Sequence, residues 1–255
     1  MKLAHLGAIS TGIVIVLGVA LIAPAFLHND SDANPGVSVM ISFDVLDSND
    51  AKATSSWCSD LASVIDRHQI KATLFLSGKT AEASPECVTS FSSDVDIGSR
   101  TYSYVDLTAI DYRIALDEVW NGKVAIDEAG RMNSKLFKAP YGSTDENIYS
   151  LLSRSGILAD FSYRDQYNKY QSDRFVKYNL TSLAGDQNGQ EQFFALVSDP
   201  SGITSPVAVN FDSSMQMEQI DEFVSKLRSV QNGRIHIVNA SDLTGMNLTI
   251  REESP

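Results

Sequence analysis

Histidine is scarce in this chain of 255 residues: there are four, His5, His28, His68 and His236. No two of them have the spacing of metal ligands, and neither Cys-x-x-Cys nor His-Glu-x-x-His occurs. A histidine-based zinc site or a Ser-His-Asp triad would have to draw its members from far apart, out of a nearly empty supply. His68, in Asp66-Arg-His-Gln69, reads as the polar end of a helix, and His236, in Arg234-Ile-His-Ile-Val238, as a strand position. Basic residues are also short: Lys and Arg number 20 against 32 Asp and Glu, for a net charge of −12. With no basic block, the chain is a poor match for a phosphate backbone, which excludes nucleic acid as a partner. No Gly-rich dinucleotide fingerprint follows an apolar run. Gly78-Lys-Thr80 resembles the end of a phosphate loop, but Thr73 stands where that motif needs glycine. Internal repeats and low-complexity segments are absent as well.

Cysteine is limited to Cys58 and Cys87. In an exported protein two cysteines pair often, and closing a loop of about thirty residues adds roughly 3–4 kcal/mol in the chain-entropy model. Two buried free thiols are the plain alternative; the expectation adopted is a disulfide. The triplets beginning at Asn179, Asn239 and Asn247 fit the glycosylation pattern, which also arises by chance.

One long uncharged run is present, from Leu6 to Leu27, with Lys2 before it and Asp30 and Asp32 after it. It is long enough to cross a bilayer, whereas the apolar part of a signal peptide is about 7–15 residues. The charge asymmetry keeps the start in the cytoplasm and exports the rest. The expectation is a membrane anchor through residues 6–27, with secretion after cleavage near Ala25 as the alternative. The chain then divides into a signal anchor or signal peptide (1–28), a polar tether (29–36), one folded domain (37–250) and a short tail (251–255).

Within the domain, β-type runs alternate with helical patterns. Strands are expected at Val37–Phe43, Ala72–Leu76, Asp94–Ile97, Lys135–Phe137, Ile157–Phe161, Phe175–Tyr178, Val207–Phe211 and Arg234–Val238. Helices are expected at Thr54–Arg67, Ala81–Ser90, Leu107–Glu128, Asp145–Arg154, Gln190–Val197 and Met217–Val230. Regular alternation implies parallel pairing through right-handed crossovers, and a single irregular (β/α) barrel of about seven strands fits it best. Such barrels place their chemistry just after the strands. There the sequence offers Asp44, then Arg100 and Tyr104, then Lys138 and Tyr141, and finally Phe211 and Asp212.

These segments resemble the polysaccharide deacetylase family, the NodB-homology domain of carbohydrate esterase family 4. Ser42-Phe-Asp44 is similar to the family's Thr-Phe-Asp-Asp, and Ile70-Lys-Ala-Thr-Leu-Phe-Leu76 to its second strand. Ile97-Gly-Ser-Arg-Thr-Tyr-Ser-Tyr-Val-Asp-Leu107 follows Ile-Gly-Asn-His-Thr-Tyr-Ser-His-Pro-Asp-Leu, and Leu136-Phe-Lys-Ala-Pro-Tyr-Gly-Ser143 looks like Phe-Arg-Pro-Pro-Tyr-Gly. Val207 to Asp212 stands where the family has a strand ending in Leu-His-Asp.

The resemblance implies a zinc-type metal-dependent amidase on N-acetylated sugars, with Asp44 as base. It also implies metal ligands at three positions that here hold Val45, Arg100 and Tyr104. The family's late catalytic histidine aligns with Phe211, its arginine before the Pro-Tyr pair with Lys138, and its acidic fourth motif with Asp165. No cofactor is therefore expected, because arginine has no lone pair to give and valine has no donor at all. The expected function is a degenerate deacetylase outside the cytoplasm that binds glycan or another surface partner. An active deacetylase with a rebuilt site, Asp44, Asp165 and Asp212 gathering a cation, is the enzyme alternative. A purely structural surface domain is the third. An exposed aromatic floor in the cleft favours binding, and a filled cleft favours structure. A last expectation concerns the vacated metal position: the Arg100 guanidinium takes it and pairs with Asp44, Lys138 being the rival partner.

Overall fold

The structure is a computed structural model that describes residues 36–162, 171–172, 175–178, 180–199, 203, 205–230 and 235–251. The uncharged run 6–27, Asp165 and Asn179 lie outside the described residues. Among the described residues no helix is long and apolar enough to cross a membrane.

In chain order the elements are β1 (Val37–Asp44), α1 (Ala51–His68), β2 (Ala72–Leu76), α2 (Gly78–Ala83), α3 (Glu86–Thr89), β3 (Val95–Ser99), α4 (Tyr112–Gly130), β4 (Met132–Ser134), β5 (Leu136–Phe137), α5 (Glu146–Arg154) and β6 (Ala159–Asp160). They continue with β7 (Gln171–Ser172), β8 (Phe175–Lys177), β9 (Thr181–Ala184), α6 (Gln187–Ser198), β10 (Val207–Asp212), α7 (Met217–Val230), β11 (Ile235–Val238), α8 (Ala240–Thr244) and β12 (Thr249–Arg251). Single 3₁₀ turns lie at Leu107–Ala109 and Pro140–Gly142.

The main sheet has ten strands in the order β7-β8-β6-β5-β3-β2-β1-β10-β9, with β11 also beside β1. From β8 to β9 every pairing is parallel, and only β7 on β8 is antiparallel. No pairing among the described residues joins β9 to β7, so the barrel is a curled sheet with an open side. The expected α/β barrel is thus observed; the main-sheet strands beyond those expected are the short β7 and β9. A separate antiparallel pair, β4 with β12, ties the end of the chain to the middle.

Both faces of the sheet are covered, as parallel sheets require. On β1, Val39, Ile41 and Phe43 join Leu61 and Ile65 of α1 and Phe223 and Leu227 of α7 in one apolar layer. Met40 faces the other way, into the hollow of the sheet, with Phe75, Leu136, Ala159, Phe161 and Ala208. Because side chains alternate along a strand, Ser42 and Asp44 share that inner face, and Asp44, last in the strand, reaches the rim.

Two expected helices are split. Ala81–Ser90 is two short helices because Pro85 lacks a backbone N–H and crowds the residue before it. Leu107–Glu128 begins as a 3₁₀ turn, and α4 starts anew where Asp111 accepts from the Arg113 N–H at 2.8 Å. The expected disulfide is present: Cys58 and Cys87 are bridged with Cα atoms 5.0 Å apart, and both are fully buried.

Candidate functional site

The ends of β1, β3, β5 and β10 meet at one rim of the curled sheet. Ser99 and Phe137 are register partners, so the residues after them, Arg100 and Lys138, stand level with each other. The ladder holds them there, with Arg100 N–H donating to Leu76 C=O at 2.9 Å and Lys138 N–H to Ser99 C=O at 3.0 Å. Asp44 is in register with Phe75 on one side and Asp212 on the other.

Asp44 is the hub. Lys138 Nζ lies 2.9 and 2.8 Å from its two carboxylate oxygens, and Arg100 Nη1 lies 3.4 Å from Oδ2. The expected Arg100–Asp44 pair therefore exists, but the rival Lys138 makes the closer contact. The three side chains are 5%, 9% and 16% exposed for Arg100, Lys138 and Asp44. Burial pushes the Lys138 ammonium below the ordinary lysine range, Asp44 pulls it back up, and Arg100 pushes it down again.

The rim is aromatic. The Arg100 guanidinium sits 4.5 Å from the centre of the Tyr104 ring, a cation–π contact. Tyr104 meets Tyr141 edge-on with ring centres 5.5 Å apart, and Tyr141 is 60% exposed. Burial raises the Tyr104 hydroxyl above its ordinary range, against the opposing pull of Arg100. Thr101, Tyr104 and Tyr141 all hold φ between 57° and 84°, where residues other than glycine are strained. The other two such residues, Gln69 and Arg131, are ordinary helix C-caps. Backbone strain beyond the caps is thus confined to this rim among the described residues, as at sites where loops are held for a purpose.

Several sequence expectations change. Phe211, aligned with the family's late histidine, does not face the cleft. It is 1% exposed, stacks 5.6 Å from Phe43 and packs against Phe223 in the outer layer. The reason is strand parity: Val207, Val209 and Phe211 point outward, so Ala208, Asn210 and Asp212 point inward. The residue sequence reasoning missed is Asn210, whose Oδ1 accepts from Lys138 Nζ at 3.2 Å and from the Ser42 hydroxyl. The apolar alternation of Val207 to Phe211 was the signal that could have found it. Asp212 stands at the rim, with Oδ1 turned to the N–H (2.9 Å) and hydroxyl (2.5 Å) of Ser214. Val45 also lies away from the cleft, fully buried in the outer layer. His68 bonds Asp221 at 2.6 Å at the end of α1, and His236 is exposed on β11.

The fit to a divalent metal fails on the donor set. Of the three family ligand positions, Val45 faces the core, Arg100 offers only donors, and the Tyr104 ring lies against the guanidinium. The Lys138 ammonium already holds both oxygens of Asp44. Among the described residues no three His, Cys, Asp or Glu side chains are grouped to hold an ion.

A parallel α/β sheet curled into a half-barrel, with its polar cluster at the strand ends, is a deacetylase-like α/β fold. The sequence profile "Polysaccharide deacetylase" matches residues 31–159, half of the chain, and the chain belongs to that family. No curated protein matches the sequence. Among solved structures, a putative polysaccharide deacetylase from Mycobacterium smegmatis is 13% identical with TM-score 0.61, over 88% of this chain and 96% of that one. A family 4 carbohydrate esterase from Streptomyces lividans, in complex with acetate, is 16% identical with TM-score 0.55, over 78% and 91%. A CE4 family pseudoenzyme from Bacillus anthracis is 14% identical with TM-score 0.57, over 82% and 66%. At these identities the likeness establishes the fold.

Proposed function

We propose that this chain is a deacetylase-fold protein that binds glycan in the Asp44 cleft without hydrolysing it. The observation that carries the reading is the pair of cations, Lys138 and Arg100, seated on Asp44 where the family's chemistry needs a metal. Hydrolysis of an amide at neutral pH needs an activated water, and a bound metal lowers water's pKa from 15.7 to about 7. Neither ammonium nor guanidinium does this from these positions. Among the described residues no histidine stands by the site to protonate a leaving amine.

What remains suits binding. The exposed Tyr141 ring, fixed edge-on against Tyr104, offers a flat apolar surface for a sugar face. Because the rim is open and aromatic, a binding role is favoured over a purely structural one. The buried disulfide supports an oxidising, extracytoplasmic setting, and the uncharged residues 6–27 support a membrane anchor.

Calorimetric titration of the full-length chain with an N-acetylglucosamine oligomer tests the reading. Binding that weakens about tenfold, or 1.4 kcal/mol, in Tyr141→Ala is expected; no binding, or none of it dependent on Tyr141, overturns it. Protease added to intact cells is expected to digest the domain, and full protection would overturn the exported placement.

A further inference from the structure

The triplets that begin at Asn239 and Asn247 lie among the described residues, and the fold treats them differently. Asn239 is 5% exposed and is the N-cap of α8. Its Oδ1 accepts from the Asp242 N–H at 3.0 Å, and its Nδ2 donates to the Asp94 C=O at 3.3 Å. Its own N–H donates to the Asp242 carboxylate at 3.3 Å, which completes a capping box. The nitrogen that a sugar would take is therefore buried and engaged, and a sugar there would open the cap. Asn247 is the opposite case. It is exposed, and its side chain makes no hydrogen bond among the described residues. The residues on either side are anchored: Leu248 is fully buried with its N–H on Ser241 Oγ at 3.1 Å, and Met246 packs against the inner apolar cluster. A sugar on Asn247 displaces no buried neighbour.

Asn247 also stands away from the Asp44 rim. The α8–β12 segment that carries it is tied to the start of β3, where the Ser241 N–H donates to Asp96 at 2.6 Å. Arg100 leaves the other end of β3, roughly 13 Å along the strand from Asp96. We propose that Asn247 is a site of N-linked glycosylation, bearing a sugar chain at the strand starts where it leaves the cleft open, and that Asn239 stays unmodified. This goes beyond the glycan-binding reading and rests on the exported placement. The co-substrate is a lipid-linked sugar diphosphate. A bond forms between Asn247 Nδ2 and the sugar's C1, the C1–O bond to the diphosphate breaks, Nδ2 gives up a proton, and the lipid diphosphate leaves with the bonding electrons. In the folded chain the Thr249 hydroxyl of the triplet is engaged, accepting from the Ile97 N–H at 3.0 Å, so transfer precedes the pairing of β12 with β4.

The test is peptide mass mapping, with fragmentation, of the full-length chain purified from the cells that make it. The peptide that contains Asn247 is expected to carry a sugar mass increment, and the peptide that contains Asn239 is expected to have its plain mass. Asn247→Gln is expected to lose the increment, while Asn239→Asp, which keeps a good N-cap residue, is expected to retain it. Sugar on Asn239 overturns the inference. A plain Asn247 peptide from a chain that added protease digests on intact cells also overturns it, and leaves the exported placement standing. A plain Asn247 peptide from a chain that is fully protected overturns both. Because the unaltered chain is read directly, the result stands even if a substituted chain does not fold.

Discussion

Asp44 is shared by two cations, and this sets an order among substitutions. Removing the carboxylate leaves Lys138 and Arg100 facing each other across a buried gap, whereas removing either cation leaves an ion pair behind. Asp44→Ala is expected to cost about 3–5 kcal/mol of unfolding free energy, the scale for breaking a buried pair. Arg100→Met is expected to cost the least, since Lys138 keeps its bonds to Asp44 and loses a like-charged neighbour. Denaturant titration of Asp44→Ala, Lys138→Met and Arg100→Met checks the order, and Arg100→Met as the worst of the three would refute it. A simple return to the family's residue is not available at Val45. That side chain is fully buried among apolar neighbours, so Val45→Asp is expected to lose more than about 3 kcal/mol rather than create a ligand. A stable Val45→Asp chain that binds zinc would contradict this. The difference between the aligned residue and the residue that faces the cleft was partly legible: Asp44, Arg100 and Lys138 were placed by position after a strand. Phe211 was misplaced because alignment ignores strand parity, and Asn210 was overlooked for the same cause.

Among the elements, α3 is only four residues long and is fastened to α1 by the Cys58–Cys87 bridge. Removing the bridge frees a long loop in the unfolded chain, worth about 3–4 kcal/mol. The Cys58→Ala/Cys87→Ala chain is expected to melt roughly 10 °C lower, read by calorimetry; an unchanged melting temperature would show that α3 is held by packing alone. At the edge of β6, Asp160 is completely buried, and its Oδ2 has no hydrogen-bond partner among the described residues. Burial pushes its pKa up to about 6, against opposing pulls from Ser162 and Lys177. Between pH of about 4 and about 6 the unfolded carboxyl has given up its proton while the native one keeps it. Stability therefore falls by about 3 kcal/mol across that window as pH rises, and is highest on its acid side. Asp160→Asn is expected to remove this decline from the difference between the two pH–stability curves, and parallel curves would contradict the assignment. The helices α1, α5 and α7 and the apolar strands β1, β2 and β10 were legible because each carries its own periodic pattern. The short β4, β9, β12 and α8 were not. They exist through distant partners, such as β12 on β4, or through a cap, such as Asn239 with Asp242, and a local pattern does not record either.

At the scale of the molecule, the curled sheet gathers strand ends from distant parts of the sequence into one rim. In that frame the polar cluster is closed by two cations on a single carboxylate, with tyrosines over it. The family was legible from five short segments in the right order, because each lies on or beside a strand where backbone and packing call for particular residues. The central claim is that this site binds sugar and does not cut it. Acetate release from an N-acetylglucosamine oligomer, measured with the full-length chain and added zinc, tests it most directly. The expected result is release no greater than that of the oligomer with zinc alone. Zinc-dependent release that disappears in Asp44→Asn would show a working deacetylase and contradict the account.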